Sequence, residues 1–286
     1  MRLRTFVLAT GFLCVTAAAA CAAVAEAHAM RDTSPAALKS CAEQMISVFE
    51  NESTSLKYGY VENLNDGRGF TAGRAGFVTR DGDLLQVVEL YDRLRPNNVL
   101  SGFLPSLRKV RGTALTRVLR GFPAAWKKAS SDPLFRQAQD QVSDSLYYLP
   151  AMKAAADLHL QSPLAKFALY DASIQHGAGD DLDSLGAIIQ AATRAVQGPP
   201  DRTGEERWLA AFLAARKKVL LNAADPETRA AWRESVGRVN EQLRLLKERN
   251  LELSGPLALN PYGTRFLVSC GRPANERAAA SGAAIE

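Results

Sequence analysis

Hydrophobic residues recur at helical spacing along most of this chain. The first run follows the Ser34-Pro35 dipeptide and ends near Glu50. Its apolar positions are spaced to form one face of a helix: Leu38, Cys41, Met45, Val48 and Phe49. From Asp83 onward the pattern is helical almost throughout, and it predicts helices over 83–94, 98–110, 132–145, 150–160, 163–175, 183–197, 204–222 and 226–249.

A capping residue followed by proline marks the start of four helices, because proline suits the first helical position. The four starts are Ser34-Pro35, Asp132-Pro133, Ser162-Pro163 and Asp225-Pro226. The periodicity alone therefore predicts a mostly α protein, with no internal repeat.

Between the first helix and Asp83 the pattern changes to short alternating runs. Tyr58, Tyr60 and Leu64 alternate as in a strand, and an Asn65-Asp66-Gly67 turn follows them. A second short strand is predicted over 70–77. We therefore expect a small hairpin or sheet near the N-terminus of an otherwise helical chain.

The two ends of the chain differ from its middle. Residues 1–29 combine a basic start, an apolar run over 6–15 and an Ala27-His28-Ala29 site, which is typical of a cleaved signal peptide. Cys21 leaves a lipoprotein anchor as the less favoured alternative. We expect a secreted protein divided into a signal peptide (1–29), a folded domain (30–270) and a small polar tail (271–286) that is disordered.

Two cysteines, Cys41 and Cys270, remain after signal cleavage and lie near the two ends of the folded region. In an oxidising compartment a disulfide between them is plausible. Two buried free thiols are an equally acceptable interpretation. No Cys/His spacing resembles a metal site, so no metal and no cofactor are expected.

Two carboxylates are the strongest candidates for chemistry. Glu50 ends the first helical pattern, and Asp66 follows sixteen residues later inside a glycine-rich turn. Glycosidic hydrolysis needs two carboxyl groups on opposite sides of a cleft, one to protonate the leaving oxygen and one to activate water or attack the sugar.

The segment around these carboxylates resembles the catalytic segment of the family-46 chitosanases. The matching residues are Glu50-Asn51 and Asp66-Gly67-Arg68-Gly69-Phe70-Thr71-Ala72-Gly73. Further matches extend the resemblance over roughly 43–268. It implies a lysozyme-like fold of two helical lobes around a cleft. It also implies an exported enzyme that cuts β-1,4 linkages between glucosamine residues inside chitosan.

The same resemblance implies roles for the site residues. Glu50 would be the general acid, Asp66 the general base, and the Thr71 hydroxyl would help hold the attacking water. Arg68 would keep Asp66 ionised. The family inverts the anomeric configuration, which predicts a carboxyl separation of roughly 6.5–9.5 Å.

From the sequence we expect Glu50 to lie where its neutral form is favoured. It ends a helix, where the helix dipole opposes a negative charge, and its neighbours Val48 and Phe49 are apolar. Both effects would help to keep a general acid protonated.

Further residues are expected to support the site. By resemblance, Asp83 contacts a substrate amino group, although it could equally be the N-cap of the helix that it starts. Also by resemblance, an Asp and two Arg form a buried ionic network behind the carboxylates. Asp171 and Arg216 match two of its members, and for the third Arg238 is preferred over Arg229.

The remaining polar and aromatic candidates point to packing. His159 and His176 have no acidic partner that would make them catalytic, and Trp126, Trp208 and Trp232 are assigned to the core. The net charge of +5 falls to +4 when residues 1–29, with two Arg and one Glu, are removed. This basic balance is unexpected for binding a polycation, so the cleft itself must be acidic.

The partner expected from the resemblance is chitosan, bound by a monomer without nucleic acid and without a membrane after signal cleavage. A lysozyme-like peptidoglycan hydrolase is one alternative. A non-catalytic polysaccharide-binding protein is another, although binding alone requires no acid–base pair.

Overall fold

The computed structural model describes residues 35–224 and 226–270. The predicted signal peptide, the predicted tail and the caps Ser34 and Asp225 lie outside the described residues. The helices are α1 (Pro35–Asn51), α2 (Asp83–Leu94), α3 (Leu104–Val110), α4 (Phe122–Ala129), α5 (Pro133–Ser143), α6 (Leu149–Asp157), α7 (Pro163–His176), α8 (Leu185–Val196), α9 (Pro200–Thr203), α10 (Glu205–Leu221), α11 (Pro226–Glu234) and α12 (Val236–Lys247). The strands are β1 (Val61–Asn63), β2 (Phe70–Ala72), β3 (Phe77–Val78), β4 (Leu257–Leu259) and β5 (Phe266–Val268).

Two hydrophobic cores divide the molecule into two lobes. The core of the large lobe is built by α1, by α6 to α8, by α10, by α12 and by the β4–β5 pair. The core of the small lobe is built by α2 to α5 and by the β1–β3 sheet. The prediction of a mostly helical, lysozyme-like protein with two lobes and a small sheet is confirmed.

The small sheet has the strand order β1-β2-β3, with both pairs antiparallel. Val61 pairs with Ala72, and Ala72 pairs with Phe77. The single second strand predicted over 70–77 was wrong, because a turn from Gly73 to Gly76 divides it into two strands. Both glycines have positive φ (75° and 68°), which side-chain-bearing residues rarely adopt.

The helices that open with Asp132-Pro133 and Ser162-Pro163 form as predicted, since each capping side chain accepts a backbone N–H. The single helix predicted over 226–249 is instead two helices that meet at Ser235. The Ser235 hydroxyl donates to the Trp232 carbonyl, a local bond that competes with the helical ladder. The periodicity also missed α4 and the β4–β5 pair.

One nearly continuous helical path connects the lobes. It runs from α5 through a π-helical turn, Asp144–Tyr148, into α6. Leu146 in this turn packs against the small-lobe core, whereas Tyr147 and Tyr148 pack against the large-lobe core. Tyr147 in this turn also lines the space between the lobes.

A disulfide joins Cys41 in α1 to Cys270, with a Cα–Cα distance of 4.8 Å. It ties the helix that carries Glu50 to the end of the described chain. Of the tryptophans assigned to packing, Trp126 and Trp208 are fully buried in the two cores. No helix of the described residues is long and apolar enough to cross a membrane.

Candidate active site

A cleft of about 1880 Å³ lies between the two lobes. The small lobe contributes Arg68, Thr71 and Asp83 to its lining. The large lobe contributes Glu50 and Arg238. Five of the eight residues that the sequence singled out therefore face one open cavity, large enough for a polymer segment.

Glu50 lies one residue before the end of α1 and keeps 36% of its side chain exposed. Its Oε1 accepts a hydrogen bond from Nη1 of Arg238 at 2.7 Å. The preceding carbonyl, that of Phe49, accepts a hydrogen bond from the Tyr262 hydroxyl at 3.1 Å. These contacts fix the end of α1 and the direction of the carboxyl group.

Glu50 lies near the end of α1 as predicted, but its apolar neighbours in the sequence do not enclose its side chain. Val48 and Phe49 are buried in the core of the large lobe, while the Glu50 side chain points into the open cleft. The Arg238 guanidinium contacts the Glu50 carboxyl group. The helical pattern could not reveal this, because Arg238 lies 188 residues away in the sequence.

Behind Glu50, Asp171 binds two arginines in a fully enclosed network. One carboxylate oxygen accepts from Nε and Nη2 of Arg238, and the other accepts from Nη1 of Arg216 and from Gln242. Asp171 and Arg216 are 0% exposed, and Arg238 is 2% exposed. Burial raises the pKa of Asp171, but the two guanidinium groups outweigh burial and hold it below its usual value.

Arg229 lies outside this network. Its guanidinium donates to the backbone carbonyls of Ala223 and Ala224 at the end of α10. Arg238 therefore occupies the third position that the sequence left open between the two arginines.

The network continues to the cleft wall through two residues of α7. Arg216 donates from Nη2 to Gln175 at 2.7 Å and from Nε to Nε2 of His176 at 3.3 Å. Burial and the neighbouring guanidinium groups lower the His176 pKa to about 2, so the ring is neutral and can accept. The Trp232 ring packs edge-on against His176 and against the core of the large lobe, as predicted, and it also lines the cleft.

Asp66 lies in the β1–β2 turn, and the flanking Gly67 and Gly69 both have positive φ. Its carboxylate accepts from the Arg68 backbone N–H at 3.0 Å and from the Arg68 guanidinium at 2.7 Å. Burial raises the Asp66 pKa, but these hydrogen bonds outweigh it, and the pKa lies below the usual value. Its partner Arg68 lines the cleft, whereas Asp66 itself is not among the lining residues.

Thr71 and Arg74 line the cleft beyond this turn. Thr71 is 8% exposed, and its hydroxyl has no hydrogen-bond partner among the described residues. The buried Arg74 guanidinium pairs with Glu43 of α1 at 2.8 Å and with Asp140 of α5 at 3.0 Å. The hairpin that carries Asp66 and Thr71 is thereby anchored to both lobes.

Asp83 is the first residue of α2, and Gly82 occupies the N-cap position, so the N-cap alternative was wrong by one residue. One Asp83 oxygen accepts from the backbone N–H groups of Val78 and Leu84 at 2.6 and 2.7 Å. Burial raises its pKa to about 6 despite these bonds. The Tyr147 phenol lies beside it.

Residues 35–224 and 226–270 contain no group of three or more His, Cys, Asp or Glu side chains that could hold a metal ion. Carboxyl groups near both walls of an open, two-lobed cleft are the arrangement of a glycoside hydrolase.

The sequence matches Glycosyl hydrolase family 46 over residues 44–257. The chain belongs to this family and is a glycoside hydrolase, which confirms the resemblance found in the sequence. A chitosanase of Bacillus subtilis (strain 168) is 48% identical over 227 residues, which cover 78% of this chain and 82% of that relative. A chitosanase of Streptomyces sp. (strain N174) is 37% identical over 234 residues, covering 81% of this chain and 82% of the relative.

Solved structures agree with this assignment. The complex of a family-46 chitosanase from Gynuella sunshinyii with chitotetraose superimposes with a TM-score of 0.78 at 46% identity, covering 82% of this chain and 99% of that one. A mutant chitosanase from Bacillus subtilis MY002, complexed with six glucosamine units, gives a TM-score of 0.77 at 45% identity over 81% and 98% of the two chains.

Several residues of the site were missed by the sequence analysis. Arg74, Tyr262 and Gln175 reach the cleft through contacts between distant elements, and no local motif marks them. Arg74 directly follows the Asp66–Gly73 motif, which was the one available signal for it.

Proposed function

We propose that this protein is an exported chitosanase that cleaves β-1,4 linkages between glucosamine units within chitosan chains. The observation that carries this proposal is the open cleft with Glu50 on the large lobe and the Asp66–Thr71 segment on the small lobe. Structures of similar family members with chitotetraose and with six glucosamine units support the same substrate.

In this mechanism Glu50 is the general acid. Arg238 holds Oε1, which leaves Oε2 free to protonate the glycosidic oxygen. The same arginine is shared with Asp171, so the carboxyl direction depends on the buried network. To act as the acid, Glu50 must carry its proton when the polysaccharide binds.

Asp66 is the general base on the opposite side. A base must be ionised to take a proton from water. Arg68 keeps Asp66 in this state, because its hydrogen bonds and charge lower the Asp66 pKa. The unpaired Thr71 hydroxyl offers a second contact for that water. The reaction inverts the anomeric centre, with the carboxyl groups about 6.5–9.5 Å apart so that water fits between sugar and base.

Substrate recognition relies on charge. The cleft lining includes Asp83, Asp81, Glu52 and Glu234, which can meet the ammonium groups of a glucosamine polymer. Ion pairs of this kind are screened by salt, so raising the ionic strength should weaken substrate binding.

The substrate proposal is tested by incubating the purified protein with chitosan, colloidal chitin and peptidoglycan and identifying the soluble products by mass. We expect chitosan to be cut internally, with viscosity falling before much reducing sugar appears. Glu50→Gln and Asp66→Asn should retain substrate binding while losing about 10²–10⁴-fold in turnover. Faster hydrolysis of chitin or peptidoglycan than of chitosan would show that the proposed substrate is wrong.

A further inference from the structure

One stretch of the small lobe carries positive charge only. Residues 93–131 contain nine Lys and Arg and no Asp or Glu. The whole chain has a net charge of +5, so the rest of the sequence has a net charge of −4. An asymmetry of this kind concentrates a positive potential on one part of the surface and indicates an anionic partner.

Most of these cations are not neutralised within the molecule. Arg95 pairs with Asp132 and Arg108 pairs with Glu89, at 2.6 and 3.0 Å. The other seven are exposed and have no carboxylate partner among the described residues: Arg93, Lys109, Arg111, Arg117, Arg120, Lys127 and Lys128.

Four of the seven lie close together in the sequence, at the end of α3 and in its connection to α4. We call Lys109, Arg111, Arg117 and Arg120, with the residues between them, the basic loop. Its backbone is held in place, because Gly112 N–H donates to the Arg80 carbonyl at 2.7 Å. Leu119 is buried in the small-lobe core between two of the cations. The four cationic side chains therefore extend from a backbone that is fixed to the small lobe.

The basic loop does not suit the proposed substrate. A glucosamine polymer is cationic and would be repelled by it, while the acidic residues that could bind ammonium groups line the cleft. The loop also does not suit insertion into a bilayer, since its large exposed apolar side chains are limited to Leu115 and Val118, at 43% and 40% exposure.

Three of the four free cations are arginines, whose planar guanidinium binds the paired oxygens of phosphate or carboxylate groups. The spacing of the four cations over residues 109–120 fits a ligand with anionic groups repeated along its length. Each bound anionic group releases counterions, so several weak contacts add up to a salt-dependent affinity.

We propose that the basic loop binds a linear polyanion carrying repeated phosphate or carboxylate groups. Chitosan is a polycation and associates with the same polymers. On the basis of the proposed function, binding of such a polymer by the basic loop holds the enzyme next to chitosan that is complexed with it.

Binding is tested without chitosan, so that this test is independent of the proposed function. The full protein is titrated at low and high salt with polyphosphate, with polygalacturonate and with phosphatidylglycerol vesicles. The loop variant is Lys109→Gln/Arg111→Gln/Arg117→Gln/Arg120→Gln. The control variant removes four exposed, unpaired cations elsewhere and changes the net charge equally: Arg202→Gln/Arg207→Gln/Lys218→Gln/Lys247→Gln.

We expect wild type and the control to bind at least one polymer at low salt and to lose it at high salt. The loop variant should bind about tenfold or more weakly. A preference for polyphosphate or for polygalacturonate identifies the anionic group. Equal losses in both variants would overturn the proposal, because net charge alone would then be responsible. Tighter binding to vesicles than to both polymers would overturn it in favour of a lipid surface.

Arg111 packs over Gly82, so a triple variant that retains Arg111 guards against a folding defect. Thermal unfolding should be the same for all variants. All variants should also cleave soluble glucosamine oligomers at the wild-type rate. On chitosan complexed with the polyanion that the wild type binds, only the loop variants should be slower. Equal rates on the complex would contradict the retention role.

Discussion

Two buried arginine clusters support the two sides of the cleft, and they differ in how they do so. The acid-side cluster, Asp171 with Arg216 and Arg238, is enclosed in the large lobe and contacts Glu50 directly. The hairpin-side cluster, Arg74 with Glu43 and Asp140, lies where the lobes meet. In the second cluster the arginine is 4% exposed, but Asp140 retains 38% exposure.

The difference lies in what each cluster positions. The acid-side cluster orients one carboxyl group within one lobe. The hairpin-side cluster connects the helix that carries Glu50 to the hairpin that carries Asp66, because Glu43 and Glu50 belong to the same α1. Burying charges costs free energy, and removing one partner from a fully enclosed network costs more than removing one that water can replace. We therefore expect the acid-side cluster to be the more sensitive to mutation.

The largest effect is expected for Arg216→Ala. It leaves Asp171 short of one of its two arginines in a site that water does not reach, and such losses run at about 3–5 kcal/mol. The free energy of unfolding, measured in urea, should fall by this amount, and activity should fall with it. Arg229→Ala is the matched control, since the contacts of the Arg229 guanidinium among the described residues are to two backbone carbonyls outside the network. Wild-type stability of Arg216→Ala would exclude a structural role for the network.

Arg74→Ala should destabilise the protein less, by about 2 kcal/mol, because both acidic partners regain contact with water. It should nevertheless lower kcat more than it changes KM, since the hairpin loses its connection to α1. Arg74→Lys should recover much of the stability but less of the turnover, because a lysine cannot reproduce the planar fork. Unchanged kcat for Arg74→Ala would show that the hairpin is positioned without this cluster.

His176 makes the acid-side cluster sensitive to pH. Its pKa is about 2 in the folded protein against 6.5 for an ordinary histidine, so below pH 6.5 the unfolded chain binds a proton that the folded chain does not. Stability is therefore lost as the pH falls, by at most about 1.4 kcal/mol per pH unit. His176→Gln should show a smaller loss between pH 6.5 and 4.5.

Two other groups are separable in that measurement. The pKa of Asp171 is lowered, so the stability that this carboxylate contributes is lost only as the pH falls below 3.8. The pKa of Asp83 is raised, so its contribution to stability grows as the pH falls from about 6 to about 4. This contribution is the same in wild type and in His176→Gln. Parallel pH curves for wild type and His176→Gln would contradict the neutral state of His176.

The smallest effect is expected at Asp83, which belongs to neither cluster. Its carboxyl group ionises near pH 6, and only the ionised form attracts an ammonium group. The wild-type kcat/KM for soluble glucosamine oligomers should therefore increase as the pH rises through about 6. The Asp83→Asn variant should lack this increase. Above that pH the variant should be about fivefold less efficient, the value of an ion pair worth about 1 kcal/mol. Superimposable pH profiles would remove Asp83 from substrate binding.

The same comparison shows what the sequence could predict. The helices and the Asp66–Gly73 turn were predictable, because both depend on local spacing and on glycines with positive φ. Arg238 could be proposed because its local pattern matched the family. Its contact with Glu50 could not be foreseen from the first helix, so this neighbour of Glu50 was not predicted.

The hairpin-side cluster shows the complementary failure. Arg74 follows a recognisable motif, but its partners Glu43 and Asp140 lie 31 residues before and 66 residues after it. Nothing in their own helical patterns distinguishes them from solvated charges. The β4–β5 pair was missed for a similar reason, since strands of three residues form only when their partner is in place.

The division of labour between the two carboxyl groups is tested most directly by the configuration of the first product. Hydrolysis of a glucosamine oligomer by the wild-type protein can be followed by NMR as the bonds break. With Glu50 as acid and Asp66 as base, a single displacement should first release the α-anomer of the new reducing end. Initial release of the β-anomer would indicate a covalent intermediate and would make Asp66 a nucleophile, contradicting the account.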